Sequence, residues 1–506
     1  MAIRHYDWLH HHARATPGRP CWSDLHSGRR FSFAEAEQRV RRLADHLQNA
    51  CGVEKRDRVA VLAMNSTDVM EVHAACAKLG AICLLMNWRL APPELDYIMA
   101  DAEPKVLVFD TASKGLVDAM AEKALHGIET TGLGEPSDYE DAIAAAHGDV
   151  RACGDLTLED PWTLMYTSGT TGRPKGAPQT YGMALMNTIN AAPSIGLTGA
   201  SVGLTVLPLF HTGGLNTWTL PLLHHGGHSL IMRSFDAGHA LRLIGDPEVG
   251  ITHFLCVPAN YLFMSQHPDF AESDWSRVVS ANVGGAPTPK PLLEHYMAKK
   301  GVAIRQGFGM TETSPAVSIQ DPETALAKPG SAGRPILHGE LKIVREDGTE
   351  AARDEVGELW VRGPNITPGY WQRPDANAEE FVDGWFKTGD AARLDGDGDL
   401  WIVDRWKDMY ISGGENVYPA EVESVIFALP GVADAAVIGE PDEKWGEVGV
   451  AVVVKAEGAE IDAEDVIEHC QGRLARFKIP RRVAFVEVLP RNATGKVLKR
   501  ELRGVV

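Results

Sequence analysis

Between residues 32 and 110 the sequence passes back and forth between two hydrophobic periodicities, and this alternation restricts the fold more than any other feature. Ser32 and Glu35 have the spacing of a helix capping box, and Val40, Leu43 and Leu47 then recur at helical intervals. Residues 57–63 form a short apolar run that predicts a strand. A helix is predicted over residues 66–79, opened by Ser66, Thr67 and Asp68. Residues 81–86 and 105–110 read as further buried strands. Strands of this kind, separated by helices, belong in parallel sheets covered on both faces. The expected class is α/β.

Farther along, the texture changes twice. From about residue 330 to residue 401, short alternating segments such as 340–345 and 357–362 are separated by Gly, Pro and Asp, the pattern of a small antiparallel β unit. After Asp404-Arg405-Trp406-Lys407, residues 419–429 and 463–475 look helical, while 433–439, 447–455 and 483–488 look like strands. These last hundred or so residues predict a separate small α+β domain.

Composition removes several classes of function. A formal net charge of −19 over 506 residues argues against a nucleic-acid binder, which needs a basic face. An anionic substrate must then be met by a few local cations. No run of eighteen apolar residues is present, so no membrane-spanning helix is expected, and residues 1–20 lack the apolar stretch of a signal peptide. The seven cysteines show neither CxxC nor zinc-ligand spacing and read as reduced, mostly buried residues. A cytoplasmic enzyme is expected. His10-His11-His12 reads as a solvated helix face.

The segment richest in chemistry is Tyr166-Thr167-Ser168-Gly169-Thr170-Thr171-Gly172-Arg173-Pro174-Lys175-Gly176, which follows an apolar strand at 162–166. Its glycines let backbone approach a ligand closely, and its hydroxyls, amides and Lys175 supply donors for phosphate oxygens. It is not a Walker A loop, because Gly176 stands where a Ser or Thr would follow the lysine.

Further motifs follow in order: Pro208-Leu209-Phe210-His211-Thr212-Gly213-Gly214, Gly284-Gly285-Ala286-Pro287, and Gln306-Gly307-Phe308-Gly309-Met310-Thr311-Glu312. Then come Gly357-Glu358-Leu359, Gly384-Trp385-Phe386-Lys387-Thr388-Gly389-Asp390, Asp404-Arg405-Trp406-Lys407-Asp408, Ser412-Gly413-Gly414-Glu415-Asn416 and Pro490-Arg491-Asn492-Ala493-Thr494-Gly495-Lys496. In identity and order they resemble the adenylate-forming superfamily of acyl-CoA synthetases, luciferases and peptide-synthetase adenylation domains.

That resemblance implies an N-terminal domain over residues 1–404, made of two helix-covered sheets plus a small β-barrel-like unit. A mobile α+β domain over 405–506 would follow, with a hinge near Lys407. It implies a ligase using ATP, Mg²⁺ and CoA. Thr167, Ser168, Gly169, Thr170, Thr171 and Lys175 would hold the β- and γ-phosphates, and Thr311 would touch the α-phosphate. Glu312 and Thr167 would serve Mg²⁺. Gly285 and Phe308 would enclose adenine, with Phe308 standing where a tyrosine is commoner in the family, and Ala286, Gly307 and Gly309 would belong to the same ATP site. Asp390 would accept hydrogen bonds from the ribose, assisted by Arg405. Lys496 would act in adenylation, and Ser412, Gly413 and Gly414 would border CoA. His211, Gly213, Gly214, Pro315 and Ala316 would line the acyl pocket, where the glycines are expected to leave room for a long or bulky acid.

The texture of residues 407–423 and 442–446 is closest to bacterial fatty acyl-CoA synthetases, so a medium- or long-chain fatty acid is the first expectation. An aryl acid of hydroxycinnamate or benzoate type is the alternative. No arginine clearly demands a second carboxylate, with Arg233 and Arg305 the two to check. A stand-alone enzyme loading a carrier protein is a third reading, and a non-catalytic nucleotide sensor a fourth. The reading leaves room for peripheral membrane contact and for a homodimer.

Overall fold

A computed structural model describes residues 3–167, 174–286, 288–406, 408–412, 415–442, 445–471, 473–491 and 497–502. The chain divides into two compact units, Met1–Glu340 with Arg362–Gly384, and Leu341–Val361 with Trp385–Val506. The architecture is α/β, as the alternating periodicities predict.

The first unit holds two sheets. One has six strands in the spatial order His126–Thr130, Val106–Asp110, Arg58–Leu62, Ile82–Leu85, Pro161–Thr167 and Lys175–Thr180. All neighbours are parallel except the last pair, which is antiparallel. Its central strands are buried along nearly their whole length, which is why they read as unbroken apolar runs. The helix Phe33–Asp45 begins with the predicted capping box: Ser32 N–H donates to Glu35 Oε2 at 2.8 Å, and Glu35 N–H donates to Ser32 Oγ at 3.3 Å.

The other sheet has nine strands: Arg334–Pro335, Ala316–Ile319, Ile304–Gly309, Ser280–Val283, His253–Cys256, Val202–Thr205, His228–Ile231, Pro20–Asp24 and Arg30–Ser32. It is parallel through its centre and antiparallel at both ends.

The second unit contains the antiparallel strands Gly357–Arg362, Trp385–Leu394 and Leu400–Arg405. It also contains a sheet in which Gly446–Lys455 lies between Val432–Asp442, antiparallel, and Arg482–Val486, parallel. The helices Pro419–Phe427 and Ala463–Cys470 belong to the same unit, and of the β-rich stretch residues 341–361 and 385–401 group with the C-terminal residues while 362–384 group with the first unit. The second helix is shorter than expected because Gln471 already has extended backbone.

Six of the seven cysteines are buried, as expected, and Cys153 is half-buried. No helix among the described residues is long and apolar enough to cross a membrane. His10 and His11 are exposed on helix Trp8–Ala15, as read, although His10 Nδ1 lies 3.0 Å from Glu37 Oε1, and the half-buried His12 places Nε2 2.9 Å from the His224 carbonyl oxygen.

The strand Pro161–Thr167, which precedes the glycine- and threonine-rich segment, is pinned by helix Thr67–Leu79. His73 Nε2 lies 2.8 Å from Thr163 Oγ1, and Trp162 Nε1–H donates to the His73 carbonyl at 3.0 Å. Burial lowers the His73 pKa to about 3, and burial likewise lowers His5, His224 and His228 to about 4. Each of these imidazoles binds its proton more readily in the unfolded chain, so stability is fully present above about pH 6.5 and falls as the pH drops through the window toward 3. A single such group contributes a slope of up to about 1.4 kcal/mol per pH unit. Urea unfolding at a series of pH values from neutral downward is expected to give a steep loss in the wild type and a shallower one in His73→Gln. Parallel profiles would contradict this account of His73.

Candidate active site

The strands Pro161–Thr167 and Lys175–Thr180 form a hairpin in which Thr167 is the partner of Lys175, so the two ends of the glycine- and threonine-rich loop are fixed side by side. Ser168, Gly169, Thr170 and Thr171 lie outside the described residues, as do Lys407, Gly413, Gly414 and Lys496. Thr167 Oγ1–H donates to the Lys175 carbonyl at 3.3 Å. The Lys175 ammonium pairs with the Glu380 carboxylate and lies 4.4 Å from the centre of the Tyr370 ring.

Tyr370 ties this lysine to Glu312. Its hydroxyl is 2.9 Å from Glu312 Oε1 and 2.9 Å from Glu380 Oε2. Burial, then the two carboxylates, raise the Tyr370 pKa, so the phenol stays protonated. One phenolic hydrogen therefore stands between two carboxylates.

Glu312 is only 5% exposed and sits in the 3₁₀ turn Thr311–Thr313, whose three carbonyls each receive a donor. Gln179 Nε2–H donates to Thr311 O at 3.0 Å, Thr367 N–H to Glu312 O at 2.7 Å, and Asn365 Nδ2–H to Thr313 O at 2.7 Å. Asn216 Nδ2–H in turn donates to Gln179 Oε1 at 2.7 Å and to Ser314 Oγ at 3.1 Å. Ser314 has a left-handed φ of 59° and precedes a cis peptide bond to Pro315. A buried carboxylate on a turn held this firmly suits a hard cation, whose remaining oxygens would come from phosphate and water.

Adjacent parallel strands Ser280–Val283 and Ile304–Gly309 end on the same side of the nine-stranded sheet. Brought there are Gly285, with a φ of 82°, the exposed Ala286, and the half-buried Gly307, Phe308 and Gly309. Ligands of parallel α/β sheets collect at such carboxyl ends. Pro315 and Ala316 are half-buried nearby in sequence, and Ala316 N–H donates to Asn187 Oδ1 at 3.3 Å.

At two of the expected glycines the place a side chain would take is already filled by the chain's own backbone. A Cβ on Gly214 would lie 2.2 Å from the Pro208 carbonyl oxygen, and one on Gly309 would lie 2.0 Å from the Pro315 carbonyl oxygen. Both are required where this chain's own backbone passes close by. His211 has a local task as well: its Nδ1 accepts from Gly213 N–H at 3.1 Å, which puts the hydrogen of the neutral ring on Nε2.

The two arginines are engaged inside the protein. Arg305, 4% exposed, donates to the Gln320 carbonyl at 2.8 and 2.6 Å, to the Ser194 carbonyl at 2.7 Å and to Ser280 Oγ at 3.2 Å. Arg233 pairs with Asp110 at 2.9 Å. In the second unit, Asp390 and Arg405 are cross-strand partners, with Arg405 Nε 3.1 Å from Asp390 Oδ1 and Asp390 buried. Ser412, also buried, is the partner of Glu415 in a short hairpin.

With this geometry described, comparisons with known proteins give a consistent result. Residues 9–371 match the family model of AMP-binding enzymes, and residues 421–496 match the model of the AMP-binding enzyme C-terminal domain. The chain is 41% identical over 478 residues to a feruloyl-CoA synthase of Amycolatopsis sp, covering 94% of each chain. It is 39% identical over 505 residues to a long-chain-fatty-acid–CoA ligase of Mycobacterium tuberculosis, covering 99% of this chain and 98% of that one. Among solved structures, o-succinylbenzoate CoA synthetase of Bacillus subtilis in complex with its acyl-adenylate intermediate superposes with a TM-score of 0.88 at 32% identity, covering 99% of this chain and 98% of the other. The chain belongs to the AMP-binding enzymes of the adenylate-forming superfamily. Within that class it is an acid–thiol ligase, an AMP-forming acyl-CoA synthetase.

Gln179, Asn216, Asn365, Thr367, Tyr370 and Glu380 were not singled out from the sequence. Each is an ordinary residue type with no local motif, and each gains its role through contacts distant along the chain. Gln179→Leu tests the support beneath Glu312, because it takes one donor from the Thr311 carbonyl and one acceptor from the Asn216 amide, leaving each only its contact with Ser314. It is expected to cost about 1–3 kcal/mol in urea unfolding and to raise the KM for ATP. A variant of unchanged stability and KM would show that the turn does not depend on this amide.

Proposed function

We propose that this ligase activates a monocarboxylic acid with a long or bulky apolar tail and passes it to CoA in two half-reactions. The carrying observation is the connected group Lys175, Glu380, Tyr370 and Glu312 at the mouth of the hairpin loop, a cation and a held carboxylate of the kind a magnesium triphosphate needs.

In the first half-reaction a carboxylate oxygen of the acid attacks the α-phosphorus of ATP, and the bond to the bridging oxygen breaks to release pyrophosphate. Lys175 and the loop donors hold the β- and γ-phosphates, Thr311 meets the α-phosphate, and Lys496 screens the approaching carboxylate. Mg²⁺, held at Glu312 with Thr167 contributing, would neutralise phosphate charge when bound. Gly285 and Phe308 enclose adenine, while Asp390 receives the ribose hydroxyls and Arg405 orients its carboxylate. In the second half-reaction the CoA sulfur attacks the acyl carbon, the acyl–oxygen bond breaks, and AMP leaves. The segment 412–414 borders CoA in this step, after rotation of the domain 405–506 about Lys407.

The preference for a single carboxylate is supported by Arg305 and Arg233, whose guanidinium groups already hold internal partners. A medium- or long-chain fatty acid is the first reading of the tail, supported by similarity to the long-chain ligase along nearly the whole of both chains. The feruloyl-CoA synthase similarity supports an aryl acid as the second.

Pyrophosphate and AMP release should be measured across fatty, hydroxycinnamic, benzoic and dicarboxylic acids, with and without CoA. CoA-dependent AMP release with one monocarboxylic class is expected. Turnover of dicarboxylic acids alone would overturn the single-carboxylate reading, and AMP release indifferent to CoA would point to a carrier protein as acceptor. Lys496→Ala is expected to slow single-turnover acyl-AMP formation by about 10²–10³; formation at the wild-type rate would remove Lys496 from the first step.

A further inference from the structure

Glu380 is an unexpected residue to find against the phosphate-loop lysine. It is the last residue of helix Pro374–Glu380, an end whose partial negative charge disfavours a carboxylate. Its side chain is 24% exposed and that of Lys175 is 18% exposed, so the pair is partly shielded from water. Its other oxygen faces the Tyr370 hydroxyl at 2.9 Å. A carboxylate so placed offers the ammonium one oxygen of a flat, singly charged group, a small version of what a phosphate would offer.

We propose that Glu380 is an internal competitor for the nucleotide's terminal phosphates, occupying Lys175 until ATP displaces it. The inference rests on the reading of Lys175 as the ligand of the β- and γ-phosphates. On arrival, the triphosphate takes the ammonium and Glu380 keeps the Tyr370 hydroxyl as its partner, so its charge is not stranded. ATP binding at this position is then an exchange of one anion for another. AMP, which ends at the α-phosphate, does not enter the exchange. The arrangement favours ligands able to compete for Lys175, ATP and pyrophosphate, over water or a small anion.

The test is equilibrium binding of ATP, pyrophosphate and AMP, each with Mg²⁺, to wild type, Glu380→Gln, Lys175→Ala and the double variant. Glutamine keeps the size of Glu380 and an oxygen for Tyr370 while removing the charge. Glu380→Gln is expected to tighten ATP and pyrophosphate about threefold to tenfold, the range of a partly shielded ion pair, and to leave AMP within about twofold, which also reports an intact fold. In the Lys175→Ala background the same change should have little effect. Unchanged or weaker ATP binding by Glu380→Gln, beside a clear loss in Lys175→Ala, would overturn the competitor role alone and make Glu380 a positioning residue for the lysine. Equal tightening with and without Lys175 would overturn it in favour of general charge repulsion. Lys175→Ala binding ATP as wild type does would overturn the phosphate reading of Lys175, and this inference with it.

Discussion

A carboxylate withdrawn from water must be given partners, and much of the candidate site in the first unit follows from doing this for Glu312. Its side chain receives Tyr370, its own peptide carbonyl receives Thr367, and the carbonyls on either side receive Gln179 and Asn365. Those donors come from the strand Lys175–Thr180 and from the segment between the strand Gly357–Arg362 and the helix Pro374–Glu380. A short turn thereby connects pieces of chain that are far apart in sequence. Removing one donor leaves a buried acceptor unsatisfied, so the group is cooperative in its losses.

The hairpin at Thr167 and Lys175 provides the complementary charge. An antiparallel ladder fixes its two ends by backbone bonding alone, and the adjoining strand Pro161–Thr167 is held by His73 and Trp162 in the core behind it. The flanking residues Thr167 and Lys175 are therefore held in place by backbone and core.

Legibility in the sequence followed the range of the interactions. The capping box at Ser32 and Glu35, the buried parallel strands and the helix Thr67–Leu79 are set by near neighbours and by periodicity, and they stand as read. Glu312 and Lys175 were legible because their motifs are contiguous. Tyr370 was not, since it is joined to Glu312 across 58 positions, and Glu380 meets Lys175 across 205. Gly214 shows the limit of reading space from a sequence: packing places the Pro208 carbonyl where its Cβ would be. Composition of a motif reports how closely something approaches, and leaves open whether it is ligand or chain.

Arg305 carries a consequence for how such a protein can change over time. Its guanidinium secures the carbonyls of Gln320 and Ser194 and the hydroxyl of Ser280, which ties the strand Ile304–Gly309 to the segments beside it. An arginine so committed is poor raw material for a new specificity: turning it toward a second carboxylate on a substrate would orphan those buried acceptors. A lineage that took up diacids would find it easier to introduce a new cation than to recruit Arg305.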